Sequence, residues 1–464
     1  MPTPPLAGGT AGPAALRPLL DTVLTALEQG ATRRGGPLPA GGPDNATSRM
    51  RTAGPLIPDT GTGAENALRT LVTALTEGAA DPAHPHCAAH LHTPPLALAA
   101  AADLAASALN PSMDSWDQAP AASALEADLT AALATEIYPH ATTPDAVITT
   151  GGTEANQLAL LLARERHGPV QTICAANTHH SITRATWLLG LPAPVVVPAP
   201  TGVMDLTALA EALTRHQHPL LVTATAGTTD TGQIDPLDAV ADLCATHGAE
   251  LHIDAAYGGP LLFSPTHQHT LHGLDRAQSV TLDLHKLGWQ PAPASLLAVP
   301  DHHHLDPLHH HAPYLNADDD TEAGLPDLLG RSLRTTRRPD ALKIAVTLQA
   351  LGRTGLADLI DRTLATAHQL ADLITQHPTL DLYQRPTIST VLFRPTGATD
   401  HTVATIRRTL LNRGHAVLGR AEAKGHRWLK ATLLNPHTTP HDLHTLINHV
   451  TTVTDDLTEG STPR

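Results

Sequence analysis

Lysine is nearly missing from this chain. Its 464 residues hold four, Lys286, Lys343, Lys424 and Lys430, against 25 arginines. A solvated cation can be written with either residue. A nucleophilic amine cannot, because guanidinium stays protonated and does not condense with an aldehyde. Aromatic residues are scarce too, at 2 %, which removes the aromatic-interleaved basic stripe of a nucleic-acid reader. Positive charge is short overall: the net charge is −15 with histidines neutral, arguing against nucleic acid or an anionic membrane as partner. No apolar run reaches membrane-spanning length, and the opening "MPTPPLAGGTAGPAALRPLL" lacks the charged-then-apolar order of a secretory signal. The three cysteines, Cys87, Cys174 and Cys244, are far apart and form no CxxC pair, as expected of thiols in a reducing compartment. These absences together predict a soluble, cytoplasmic protein.

What the chain does have is Ala, Leu, Pro, Thr and His in abundance, with 31 histidines and 40 prolines. This bias runs throughout, so an isolated His or Pro carries little information. The length exceeds one hydrophobic core and predicts several domains. Residues 1–75 read as a helical, wrapping segment without a core of its own, with a helix over "AALRPLLDTVLTALEQG" and a flexible Gly/Pro stretch after it. Helical spacing resumes in "LALAAAADLAASALN" and "SALEADLTAALATEIY". From about residue 145 short apolar runs alternate with loops and helical patterns ("AVITT", "QTICAAN", "PLLVTATAG", "ELHIDAA"). That rhythm predicts an α/β domain over 76–340, with a mostly parallel sheet covered by helices on both faces. Residues 341–464 read as a small C-terminal α+β domain, with helices in "DALKIAVTLQALG" and "LADLIDRTLATAHQLADLITQ" and strands in "TVLFRP", "HAVLGRAEA" and "WLKATLLNP".

Ligands of such sheets sit beyond the carboxyl ends of the strands, which directs attention to the loops. "TTGGTEANQLALLL" sets Gly151, Gly152 and Thr153 between a strand and the first turn of a helix. Unpaired N–H groups and the helix dipole there suit a phosphate. No GK[ST] follows, so this is not a P-loop; a plain Gly-Gly turn with a Thr cap is the alternative. "NTHHSITRA" places His179 and His180 after the next strand, and "TAGTTDTGQIDP" places Thr228 and Thr229 after another. In "ELHIDAAYGG", Asp254 ends an apolar strand, where a carboxylate must find a partner or shift its pKa. Small Ala255 and Ala256 leave room beside it for something flat. His285 and Lys286 follow in "TLDLHKLGWQP". A phosphate cradle, a buried acid and a lone amine fit pyridoxal 5′-phosphate, whose three reactive ends require those groups.

Eight stretches carry a family resemblance: "HPHCAAHLHTPP", "ALNPSMDSWDQAPAASALEADL", "TTGGTEANQLALLLARE", "VTATAGTTDTGQIDPL", "HIDAAYGGPLL", "SVTLDLHKLGWQPAPAS", "RSLRTTRRPDALK" and "LKATLLNPHTT". In order and spacing the chain resembles the group II pyridoxal-phosphate-dependent amino-acid decarboxylases. Within that group it is similar to the diaminobutyrate decarboxylases and to the lysine or ornithine decarboxylases of siderophore pathways. The resemblance implies a fold-type-I, transferase-like architecture: a large, mostly parallel seven-stranded sheet domain, a small C-terminal domain and an N-terminal helical segment, assembled as a homodimer. It also implies release of carbon dioxide and an amine from an L-amino acid. Carried over by position, it makes Lys286 the covalent anchor and Asp254 the partner of the pyridine nitrogen. Ala256 and His180 would lie on the two ring faces, with Gly152, Thr153 and His285 on the phosphate, Ser279 near it, and Thr229 towards the ring hydroxyl.

Departures from the family bear on substrate and mechanism. An ungapped count from Tyr314 puts Leu328 where aromatic-specific relatives carry a proton-donating tyrosine, leaving His180, Lys286 or water as donors. The segment "PYLNADDDTEAGLPDLLGRSLRTTRR" reads as a loop with Gly and Pro hinges. Cys87 to His92 is poor in aromatics, which favours a diamino acid such as 2,4-diaminobutyrate, ornithine or lysine over an aromatic one. An acidic run, Asp318 to Asp320 with Glu322, either attracts a cationic substrate or is simply solvated. Trp116 either lines the cofactor entrance or fills core, and Arg337 and Arg338 either bind an anion or pair structurally. The tract His302 to His311 makes a poor closed metal site, and no metal is expected. Decarboxylation of aromatic or aliphatic amino acids, or the chemistry of an aminotransferase or oxidative deaminase, are the alternatives.

Overall fold

The computed structural model describes residues 3–459, apart from 311, 313, 314 and 316. In chain order the strands are β1 (Cys87–Ala88), β2 (Asp145–Thr149), β3 (Gln171–Ala175), β4 (Val195–Val197), β5 (Leu220–Thr225), β6 (Glu250–Asp254), β7 (Ser279–Asp283), β8 (Ser295–Val299), β9 (Leu380–Leu382), β10 (Thr390–Pro395), β11 (Val417–Ala423) and β12 (His426–Thr432). The chain divides into two compact units, one of residues 1–94, 366–385 and 390–464, the other of residues 95–365 and 386–389.

This division corrects the expected boundaries at 75 and 340. Residues 76–94, expected in the large domain, group instead with the C-terminal sheet: β1 pairs in parallel with β11, Cys87 opposite Val417 and Ala88 opposite Leu418. Strand β1 thereby completes a five-stranded sheet of order β1-β11-β12-β10-β9. The helix-rich stretch Ala341–Gln376 is broken at Gly352 (φ 61°, ψ −179°), and its later turns supply Ala367, Leu370, Ala371 and Ile374 to the core under that sheet. The Gly/Pro-rich stretch expected to be flexible contains a helix, Gly42–Arg51.

The other unit holds the expected seven-stranded sheet, in the order β2-β8-β7-β6-β5-β3-β4. Strands β4, β3, β5, β6 and β7 pair in parallel. Strand β8 runs antiparallel to both β7 and β2, so β2 points the same way as the parallel set. The carboxyl ends of six strands therefore meet along one edge. Central strands covered on both faces are buried along their whole length, as every residue of β5 and β7 is, and the polar side chains among them must find partners inside. The helix Gly152–His167 packs Ala155, Leu158, Ala159 and Leu162 on β2 and β8. Its opposite side packs Leu160 and Ala163 with Cys174, Ile182 and Leu221. Each fully buried leucine contributes about 2 kcal/mol, so the position of the helix N-terminus is firmly set. Glu154 in the first turn and Arg164, Arg166 and His167 in the last complement the helix dipole.

Candidate active site

The loop after β2 passes through extended Gly151 directly into the helix at Gly152. Gly152 is needed for room: a Cβ there would lie 3.0 Å from Ala256 Cβ and 3.1 Å from Asp283 Oδ2. His285 flanks the same turn, its Cε1 3.8 Å from where a Gly151 Cβ would stand. Burial lowers the His285 pKa, with Asp283 pulling the other way. The Glu154 carboxylate accepts from the Thr150 N–H and hydroxyl, both at 2.6 Å, and so fixes the loop. Thr153 at the first turn is exposed.

Lys286 lies just past β7, its Nζ 2.9 Å from Asp283 Oδ2. Asp283 is buried and also accepts from the Ser295 hydroxyl. The lysine loop is closed on itself: the Leu284 and His285 N–H groups reach the Ala294 carbonyl at 2.8 and 3.2 Å. Trp289 within it is fully buried in a left-handed conformation, φ 51°, which is uncommon for a bulky residue and requires firm surroundings. The other lysines are placed differently. Lys343 is buried between Asp340 and Asp103, at 3.1 and 3.2 Å. Lys424 is exposed beside the Tyr383 ring, and Lys430 is buried in β12. Of the four, Lys286 alone stands at the carboxyl edge of the large sheet.

Asp254 ends β6 at that edge and is 6 % exposed. Its Oδ1 accepts the Ala256 N–H at 3.1 Å and its Oδ2 accepts from Asn156 Nδ2 at 2.7 Å. A carboxylate has about four acceptor sites, so among the described residues Asp254 retains capacity for another donor. Beneath it lies fully buried His252, whose Nε2 is 3.0 Å from Asn156 Oδ1 and whose Nδ1 is 2.9 Å from Ser279 Oγ. Burial lowers the His252 pKa to about 4, so the ring is neutral at neutral pH.

The structure gives the two histidines of the pair different surroundings. His180 is exposed. His179 is half-buried and its Nδ1 is 2.8 Å from Ser181 Oγ, which in turn accepts from Asn156. Burial lowers the His179 pKa, and the charges of Asp254, Asp283 and Lys286 all act on it. His179 is therefore the histidine linked to Asp254, through Ser181 and Asn156. Ser279 is also displaced from its expected place: it opens β7, at the end opposite Asp283, and its hydroxyl serves His252. Thr229 is exposed in the loop after β5, whereas Thr228 is buried and paired with Thr231 at 2.9 Å. Sequence reasoning passed over Asn156, His252 and Asp283. The available signal was a polar residue on an otherwise apolar face, which demands partners.

Other candidates resolve structurally. Arg337 forms a buried 2.6 Å ion pair with Glu126, and Arg338 pairs with Asp103 at 3.1 Å. Leu328 is buried, and the segment around it contains a short helix, Asp318–Glu322, rather than loop alone. Tyr314, from which its position was counted, and His311 lie outside the described residues. Trp116 is 36 % exposed and lines a cavity with Leu328, His302 and Arg331. Asp301, His302 and His303 bring ligand atoms within 4.8 Å of one another on the surface. Asp301 already caps its 3₁₀ turn by accepting from the His303 N–H at 3.1 Å.

A glycine-lined helix N-terminus, a buried carboxylate with spare acceptor capacity and an amine at one sheet edge fit pyridoxal phosphate. The sequence profile of the pyridoxal-dependent decarboxylase conserved domain matches residues 50–396, and the chain belongs to this family. It is 39 % identical over 411 residues to the L-2,4-diaminobutyrate decarboxylase of Rhizobium meliloti, covering 85 % of this chain and 83 % of that protein. It is 32 % identical over 428 residues to the L-2,4-diaminobutyrate decarboxylase of Acinetobacter baumannii, covering 84 % of each. Among solved structures it resembles the glutamate decarboxylase domain of a diaminobutyrate-pyruvate transaminase and L-2,4-diaminobutyrate decarboxylase from Vibrio parahaemolyticus. There the TM-score is 0.87 at 31 % identity, over 97 % of this chain and 98 % of that one. The protein is a pyridoxal-phosphate-dependent amino-acid decarboxylase with the expected fold. No helix among the described residues is long and apolar enough to cross a membrane.

Proposed function

We propose that the protein removes the α-carboxylate of a diamino acid, with L-2,4-diaminobutyrate as the leading substrate and ornithine and lysine behind it. The observation that carries this reading is similarity to two L-2,4-diaminobutyrate decarboxylases over more than four-fifths of the chain. Bound at this site, pyridoxal phosphate supplies the sink for the electrons released when the Cα–carboxylate bond breaks. The residues do the rest. Gly151, Gly152 and Thr153 offer the helix N-terminus to the phosphate, with His285 beside it. Lys286 anchors the cofactor and holds the proton that replaces the lost carboxylate at Cα, exchanging it with Asp283. Asp254 keeps a proton on the ring nitrogen by a charge-assisted hydrogen bond. Each pKa unit gained there corresponds to about 1.4 kcal/mol. Ala256 and neutral His179 flank the ring, and Thr229 lies towards its hydroxyl side.

The same reading makes the protein a cytoplasmic homodimer. Leu24, Leu27 and Leu75 on the helices Gly12–Arg34 and Ala64–Gly78 are 64, 42 and 63 % exposed, as expected of a surface that a second copy covers. Light scattering should return the mass of two chains.

A panel of amino acids, read by mass spectrometry for carbon dioxide and amine, tests the function. Diaminobutyrate should turn over fastest. Turnover of aromatic amino acids with diamino acids ignored would overturn the substrate; ammonia with an aldehyde, or a keto acid, would overturn the reaction.

A further inference from the structure

We infer that Asn156 is the positioning residue of this site, holding Asp254 and His179 in place through the two hydrogens of one amide. Asn156 is fully buried on the second turn of the helix Gly152–His167. Its Nδ2 lies 2.7 Å from Asp254 Oδ2 and 2.9 Å from Ser181 Oγ, while its Oδ1 lies 3.0 Å from His252 Nε2 and 2.8 Å from Thr281 Oγ1. All four hydrogen-bonding positions of the side chain are thus in use.

The direction of every bond follows. A flipped amide would set its carbonyl against the Asp254 carboxylate, acceptor against acceptor, so Nδ2 must face Asp254. Asn156 Oδ1 then accepts, and His252 must carry its hydrogen on Nε2 and take the Ser279 hydroxyl at Nδ1. Ser181 accepts from Asn156 and donates to His179 Nδ1, leaving the His179 hydrogen on Nε2. One side chain therefore sets the orientation of the acid expected at the ring nitrogen and, together with the Ser181 N–H 3.3 Å from His179 Nδ1, the tautomer of the histidine expected at the ring face. It does so with a neutral donor, which orients the Asp254 carboxylate without cancelling its charge as an arginine would.

The inference rests on Asp254 facing the cofactor, so Asp254→Ala is measured alongside. The test uses the nearly isosteric Asn156→Asp, which keeps an acceptor for His252 and Thr281, removes the donor to Ser181, and forces Asp254 to share a proton with a second carboxyl group or face its charge. Thr281→Val is the control: the hydroxyl it removes bonds Asn156 and neither Asp254 nor His179, and the backbone pairing of Thr281 with Asp254 is kept. Three readings are taken: cofactor affinity by equilibrium dialysis, the pH titration of the bound cofactor's absorbance, and kcat against KM. Asn156→Asp should weaken cofactor binding about tenfold, move the titration midpoint, and lower kcat about a hundredfold with KM nearly unchanged. Thr281→Val should stay within about twofold of wild type on every reading. If the apo Asn156→Asp protein shows no cooperative melt, Asn156→Ala is read by the same criteria. Wild-type affinity and titration in the Asn156 variant, with Asp254→Ala impaired, would overturn the inference alone. Wild-type behaviour of Asp254→Ala would overturn the underlying reading with it. Thr281→Val matching the Asn156 variant would reduce Asn156 to a core residue.

Discussion

Lys286 Nζ and Asp283 Oδ2 are 2.9 Å apart at the carboxyl end of the central strand β7. An ammonium must shed a proton before it can attack an aldehyde, and Asp283 is within hydrogen-bond reach to take it. In Asp283→Asn the amide cannot accept that proton as a base. Covalent attachment of pyridoxal phosphate to the apo protein, followed by stopped-flow absorbance, should slow at least about tenfold. Lys286→Ala should show no attachment, and borohydride reduction of the wild type should label the peptide containing residue 286 and no other.

The histidine pair separates by its surroundings, and kinetics should separate it too. His179→Ala should lower kcat at least about tenfold, whereas His180→Ala, altering an exposed ring, should stay within about threefold. The reverse ranking would return the ring-facing role to His180.

Buried His252 makes stability depend on pH. Its folded pKa, about 4, lies below the ordinary value of 6.5, so between those values the unfolded chain binds the extra proton. Stability is complete above about pH 6.5 and falls as pH drops towards 4, by about 3 kcal/mol for this group. Urea denaturation of the apo protein at pH 7 and pH 5 should show about 2 kcal/mol of that loss, and His252→Gln should lose distinctly less. Equal losses would assign the effect to the other histidines.

The ion pair between Arg337 and Glu126 is buried on both sides, at 2 and 4 % side-chain exposure. Removing one partner leaves a charge without compensation, which typically costs 3–5 kcal/mol, and about that much is expected here for Glu126→Gln. Urea denaturation gives the value directly, and a change below about 1 kcal/mol would show that water reaches the guanidinium.

Much of this molecule was legible in its sequence, for reasons that individual residues show. "TVLFRP" is strand β10 to the residue, because Val391, Leu392 and Phe393 are β-prone apolar residues in a row and Pro395 closes the run. The break at Gly352 falls where "TLQALG" ends, at a residue able to adopt positive φ. Asp254 and Lys286 were readable because few chemical roles explain an acid ending an apolar strand or a rare amine in an arginine-rich chain. The helix Gly42–Arg51 was not, being polar all round and without periodicity. Neither was the unit division, since the pairing of Cys87 with Val417 spans most of the chain and leaves no local pattern. His179 and His180 are adjacent, and only the turn into the helix at Ser181 decides which ring points inward. Asn156 was not legible, because one amide in a helix rich in leucine and alanine carries no pattern that separates a buried network from a solvated side chain.

The scarcity of lysine, joined to where the four amines lie, gives the protein a built-in footprinting assay. Lys343 and Lys430 are buried, Lys424 is exposed and Lys286 is half-buried at the site. An acylating reagent applied under native conditions therefore has two accessible lysine targets, and loading with pyridoxal phosphate should withdraw one of them. Occupancy becomes a ratio of two peptides in one digest, with Lys424 as the internal standard.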